Sequence, residues 1–152
     1  MDIRKQKRFL RNTLNLSSFL SFIKSIKTIE FKPGDKINKK LLSLYSTKDQ
    51  KKVKAVYLIY GIKNAKKELI YIGKAGSVKN DGSFKNQGID RLKRRRGKIY
   101  SQEWYENILK DYDRLVFKIV ELEGISPAFI EAFLLQKYLD KCKRLPRYNK
   151  TL

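Results

Sequence analysis

Two short runs, Ala55-Val56-Tyr57-Leu58-Ile59-Tyr60 and Leu69-Ile70-Tyr71-Ile72-Gly73-Lys74, constrain this chain more than any other feature. Both are rich in β-branched and aromatic residues, and the polar stretch Lys63-Asn64-Ala65-Lys66-Lys67 separates them. The pattern predicts an antiparallel hairpin, with one strand from about Val53 to Ile62 and the other from about Glu68 to Lys74. Residues that face each other across such a pair have a constant sum of positions. Tyr57 and Tyr71 are equidistant from Asn64, so the spacing predicts two phenols opposite each other on one face. Tyrosines are common in strands and most of them pack, so the pair alone points to packing before chemistry.

The downstream sequence supplies partners for the hairpin. Arg114-Leu115-Val116-Phe117-Lys118-Ile119-Val120-Glu121-Leu122 reads as a third strand. Ser126 and Pro127 form an N-cap and first-turn signal for a helix through about Asp140. Gln102 to Tyr112 reads as another helix, carrying Trp104, Tyr105, Ile108 and Leu109. A further helix is expected from Ile89, with Asp90 in its first turn, then Arg91, Lys93, Arg94, Arg95 and Arg96, and Gly97 as its breaker. Between Ala75 and Gly88 lies a loop rich in Gly, Ser, Asn and Lys, long enough to suggest a functional or mobile segment.

The first 52 residues carry 14 Lys+Arg against 4 Asp+Glu. Phe19, Phe22, Ile23 and Ile26 have helical spacing, so a helix is expected from a Ser17 or Ser18 cap to about Ile29. A second is expected from about Lys36 to Tyr45, after the turn Phe31-Lys32-Pro33-Gly34-Asp35, with Ser46 to Lys52 as a connector. This part reads as a basic helical N-terminal extension, residues 1–52, joined to a domain over 53–152. Basic amphipathic helices suit a phosphate backbone or an anionic membrane, or pack on the domain with a solvated basic face.

Charge limits the partners. The chain has 36 Lys+Arg against 15 Asp+Glu, a net +21, with no histidine. Such a surface calls for polyanions, with nucleic acid first and an anionic membrane or the ribosome after it. The lack of histidine excludes His-ligated metals and His-based proton transfer. The single cysteine, Cys142, excludes an intrachain disulfide and a cysteine-based zinc site. A catalytic metal would then need oxygen ligands, which suits magnesium or manganese. No signal-peptide or membrane-spanning run is evident, so a soluble, cytoplasmic protein is expected.

Glu131 is the most telling single residue. On a helical wheel it falls within an apolar arc of Ile130, Leu134, Leu135, Tyr138 and Leu139. A carboxylate aimed at apolar surface needs a cationic partner, either a metal ion or a basic side chain. Arg91, near a helix start, sits where the dipole disfavours a cation unless an anion binds there. The bland alternative for Arg91 is a solvated basic face, shared with Lys93 to Arg96.

Val56-Tyr57 followed by Tyr71-Ile72-Gly73 resembles the signature of the GIY-YIG endonuclease superfamily. Arg91 opening the next helix, Glu131 in a late helix, and a terminal Pro146-x-x-Asn149 follow in the family's order. The resemblance covers residues 53–152. Its first half is degenerate here, as Ala55-Val56-Tyr57, and the gap between the halves is longer than usual. It implies a small α/β (α+β) fold, a three-stranded antiparallel sheet flanked by helices. It also implies hydrolysis of DNA phosphodiesters, duplex first, with Mg²⁺ or Mn²⁺.

By position, the resemblance makes Tyr57 the general base and Tyr71 its partner at the phosphate. Gly73 would permit close backbone approach to nucleic acid. Arg91 would neutralise developing charge, Glu131 would hold the metal and Asn149 would brace the site. Lys74 is similar to a lysine of the restriction-enzyme members, and phage or defence endonucleases are related possibilities. A phenol with an ordinary pKa of about 10 is a poor base at neutral pH, so cations must assist it. Lys93, Arg94, Arg95 and Arg96 would contact nucleic acid.

Many members carry a histidine where this chain has Arg95. The alternative is therefore a non-catalytic nucleic-acid-binding protein on a nuclease-like fold. Double-strand cleavage by one site per chain would call for a dimer or sequential nicking.

Overall fold

The computed structural model describes residues 19–150 apart from 80, 82, 86, 87 and 97, and the backbone alone of 78, 84, 85, 95 and 96. Its centre is a four-stranded antiparallel sheet: β1 (Ile23–Phe31), β2 (Ala55–Lys63), β3 (Lys66–Ala75) and β8 (Arg114–Leu122), in the spatial order β1-β8-β2-β3. The helices are α1 (Ile37–Leu42), α2 (Thr47–Gln50), α3 (Ser101–Ile108) and α4 (Pro127–Cys142). Two small two-stranded sheets and a 3-10 turn precede α3: β4 (Ser77–Val78) with β5 (Phe84–Lys85), the 3-10 turn over Ile89–Lys93, and β6 (Arg95–Arg96) with β7 (Ile99–Tyr100).

The mixed α/β class agrees with the sequence, but the sheet has four strands where three were expected. The extra strand is β1, in the stretch expected as a helix. Its burial alternates residue by residue, the period of a strand, and Ile26 is 58% exposed. Pairing with β8 from Phe31↔Leu115 to Ile23↔Leu122 satisfies one edge of its backbone, and Ile29 and Phe31 are buried. Residues 23–31 thus share one core with residues 53–150. The expected Ser17 or Ser18 cap lies outside the described residues, as does most of the basic start of the chain.

The core has two sides. On the first, Ile29, Phe31, Tyr57, Ile59, Leu115, Phe117 and Ile119 meet α1, α3 and the 3-10 turn through Leu41, Tyr105, Ile108, Ile89 and Leu92. On the second, Val56, Val120 and Leu122 meet Ile130 and Leu134 of α4. Helix α4 begins with Pro127 at its first turn and ends on Lys143 in the left-handed conformation (φ 58°).

The expected arginine-bearing helix is not present. Ile89 and Leu92 are both fully buried, and their spacing of three matches a 3-10 turn. Arg94 then becomes extended and leads into β6. Its guanidinium folds back on buried Asp90, with Nε–Oδ2 and Nη2–Oδ2 distances of 3.0 and 2.5 Å. A buried carboxylate requires such a cation, so that contact replaces the expected role of Asp90 at a helix dipole.

A second polar anchor joins α1 and α2 to the sheet. Tyr45 donates to Glu121 at 2.5 Å, and Lys27 pairs with the same carboxylate at 3.2 Å. Burial pushes the Glu121 carboxyl up, but the hydrogen bonds from Tyr45 and Lys27 prevail and hold it below its ordinary value. Burial, with the Glu121 contact, drives the Tyr45 phenol far above its ordinary range.

Candidate active site

The hairpin turn is tighter than expected. Asn64 and Ala65 both have positive φ, 50° and 61°, as in the two-residue turns that match strand twist. Pairing starts at Lys63↔Lys66 and reaches Tyr60↔Leu69; Ile59 then faces Tyr71, so Ile70 is an extra residue on β3. Through that bulge Tyr57 comes opposite Gly73, not Tyr71. The two tyrosines are therefore diagonal neighbours on one face, where their rings stack with centroids 6.0 Å apart at 27°.

Gly73 makes this stack possible. A β-carbon there would stand 2.6 Å from the Tyr57 hydroxyl and 2.6 Å from Tyr71 Cε1. Gly73 is buried, and the space left by its missing side chain is taken by protein rings; its expected contact was with nucleic acid. Tyr57 is 1% exposed, whereas Tyr71 is half-buried. Trp104 touches Tyr71 edge-on at 5.3 Å and Tyr148 at 5.8 Å, so the aromatic cluster reaches the C-terminal tail.

That tail closes the free edge of β3. Asn149 accepts from the Ile72 amide at 2.9 Å and donates to the Ile72 carbonyl at 2.8 Å. The Tyr148 amide donates to Ile70 at 2.9 Å. Both ends of the Asn149 side chain thus engage backbone, and it acts as a brace.

Beyond Gly73 the strand turns its next side chain to the other face. Lys74, opposite Val56, reaches Glu131 of α4 at 3.6 Å. Glu131 is half-buried; burial pushes its carboxyl up, while the charges of Lys74 and then Arg91 pull against that shift. Lys74, Arg91 and Glu131 are therefore one electrostatic group at β3, next in sequence to the tyrosine stack. Among the described residues no cluster of three or more His, Cys, Asp or Glu is placed to hold a metal. The Glu131 carboxylate is an oxygen donor here, and its Oε2 faces Lys74.

The other basic candidates separate from this group. Lys93 points to Asn38 of the α1 segment at 3.5 Å, and Arg94 is held by Asp90. Arg95 and Arg96 contribute backbone to the β6–β7 ladder. A cleft of about 440 Å³ lies elsewhere, lined by Lys24, Lys27, Lys52, Lys54, Tyr45, Asp49, Glu121 and Glu123. Two of its carboxylates have internal partners: Ser46 donates to Asp49, and Tyr45 to Glu121. No helix among the described residues is long and apolar enough to cross a membrane.

Set against family models, curated proteins and solved structures, this chain matches none.

Proposed function

We propose that this protein hydrolyses DNA phosphodiester bonds with a divalent metal held at Glu131, as a GIY-YIG-type endonuclease. One observation carries the reading: a half-buried carboxylate pairs with Lys74 and feels the charge of Arg91, and Lys74 directly follows Gly73, over which the tyrosine pair stacks on the opposite sheet face. A hard cation such as Mg²⁺ or Mn²⁺ keeps several waters and often takes one protein carboxylate with substrate phosphates, so this donor set suits it. When bound, the metal supplies charge that stabilises the leaving oxygen.

The chain's own residues do the rest. Lys74 and Arg91 neutralise charge that builds on the phosphate. Tyr71, the more exposed phenol, hydrogen-bonds the phosphate, and Tyr57 takes the proton of the attacking water. That role requires substrate binding to uncover Tyr57, which is 1% exposed. Asn149 keeps β3 in place, and the basic run from Lys93 to Arg96 tracks the backbone.

A second reading is a protein that binds nucleic acid without cutting it. The burial of Tyr57 and the existing Lys74–Glu131 pair favour that alternative. Incubating plasmid DNA with Mg²⁺, Mn²⁺ or EDTA separates the two. Hydrolysis predicts metal-dependent nicking by the wild type that Glu131→Gln abolishes. A plasmid left supercoiled by both proteins, with retained binding, supports the second reading. Binding itself should be steeply salt-dependent: six phosphate contacts lose on the order of 10³ in affinity between 50 and 200 mM salt.

A further inference from the structure

We infer that the open end of the second sheet face is a stacking platform for single-stranded nucleic acid, with Tyr60 as the residue that meets a base. The inference rests on the nucleic-acid reading above and names the form of substrate strand that this surface accepts.

Helix α4 covers this face around Val56, Val120 and Leu122. Further along the strands no described element covers this face: Tyr60, Leu69 and Val116 stay partly exposed, and Thr28 and Glu30 of β1 are exposed. Tyr60 lies opposite Val116 on one side and Leu69 on the other. Lys118 and Lys67 are then its diagonal neighbours on the same face. Their Nζ atoms stand 5.6 and 4.3 Å from the Tyr60 ring centroid. Arg114, opposite Ile62 in the next row, adds a third cation and pairs with Glu30 at 2.9 Å.

An aromatic ring set among cations on an open sheet is the combination that binds single strands, with bases on the ring and phosphates on the cations. An exposed cation–π contact is weaker than base–aromatic stacking, so an arriving base displaces Lys67 from the ring. The freed ammonium is then available to the adjoining phosphate. A duplex keeps its bases stacked inside and cannot offer one to Tyr60. Tyr60 stands four residues beyond Val56, the partner of Lys74, or about 13 Å along β2 at strand rise. A strand bound on Tyr60 therefore lies on the face that carries Lys74.

The test is anisotropy of labelled oligo(dT), oligo(rU) and a blunt duplex, all in EDTA, with wild type, Tyr60→Leu and Tyr60→Phe. Leucine keeps the apolar packing without the π-face, and phenylalanine keeps both. Tyr60→Leu should weaken single-strand binding at least about fivefold, with duplex binding unchanged and Tyr60→Phe like wild type. Lys67→Gln should reduce the single-strand salt slope by about 0.7. Equal single-strand affinity for Tyr60→Leu and wild type overturns the platform, as does equal loss on single strand and duplex. An uncut plasmid with Tyr60-dependent single-strand binding sinks hydrolysis and leaves the platform. Metal-dependent nicking with Tyr60-independent binding does the reverse.

Discussion

Tyr57 and Gly73 face each other across the β2–β3 ladder, and the Tyr57 hydroxyl lies 2.6 Å from where a β-carbon on residue 73 would stand. Gly73→Ala therefore forces the Tyr57 ring to move or the strands to part. Overpacking of this kind costs about 1–3 kcal/mol. At roughly 2–4 °C per kcal/mol for a chain of this size, the melting temperature should fall measurably. Combined with Tyr57→Ala, the cost of Gly73→Ala should shrink, because one of the two obstructing rings is gone and Tyr71 gains room to shift. Additive losses in the double variant would mean that the two residues do not meet.

Asn149→Ala should loosen the edge of β3. It removes an acceptor from the Ile72 amide and a donor from the Ile72 carbonyl, each in a part-buried setting. A loss of about 1–3 kcal/mol is expected. Hydrogen exchange at the Ile72 amide should accelerate more than at residues of β8. Asn149→Asp keeps the acceptor and should retain most of that protection.

Glu131 and Glu121 should show opposite pH signatures. Glu131 has its carboxyl raised by burial against the pull of Lys74 and Arg91, so the folded state holds its proton more tightly than the unfolded chain. Its ionisation lowers stability as pH rises from the ordinary carboxyl value, about 4.3, through the raised one. Glu131→Gln should therefore gain on wild type across that window and match it at lower pH. For Glu121, burial is outweighed by Tyr45 and Lys27 and the carboxyl is lowered. Its contribution is present above the ordinary value and is lost as pH falls through the lowered one. Glu121→Gln should be destabilising at neutral pH and less so in acid. Thermal melts from pH 3 to 8 test both, and a neutral-pH loss in Glu131→Gln would show that the Lys74 pair outweighs burial.

The hairpin turn carries removable strain. Ala65 sits at φ 61°, a region that glycine enters freely and alanine does not. Ala65→Gly should raise stability by about 1 kcal/mol in urea unfolding, the reverse of the usual effect of glycine. An unchanged or lower midpoint would argue against a left-handed residue at that position.

The parts of the fold that were legible share one property: their signals are local. Strands β2, β3 and β8 stand out because aromatic and β-branched runs are bounded by turn residues. Helix α4 announces itself through Ser126, Pro127 and its apolar arc. Strand β1 differs from its helical expectation because Phe19, Phe22, Ile23 and Ile26 satisfy helical spacing, while its partner β8 lies far along the chain. The basic helix after Ile89 failed for a related reason, since Asp90 needed Arg94 and the buried pair Ile89 and Leu92 preferred a tighter turn.

The hairpin, the net +21 and the candidate residues of the site follow from composition and short-range pattern alone. Which of them meet depends on packing across the whole sheet. One bulge at Ile70 moved Tyr57 from Tyr71 to Gly73, and strand alternation then sent Lys74 to the face where α4 delivers Glu131. Register and cross-sheet distance arise from packing the whole sheet at once, and no local run of residues encodes them.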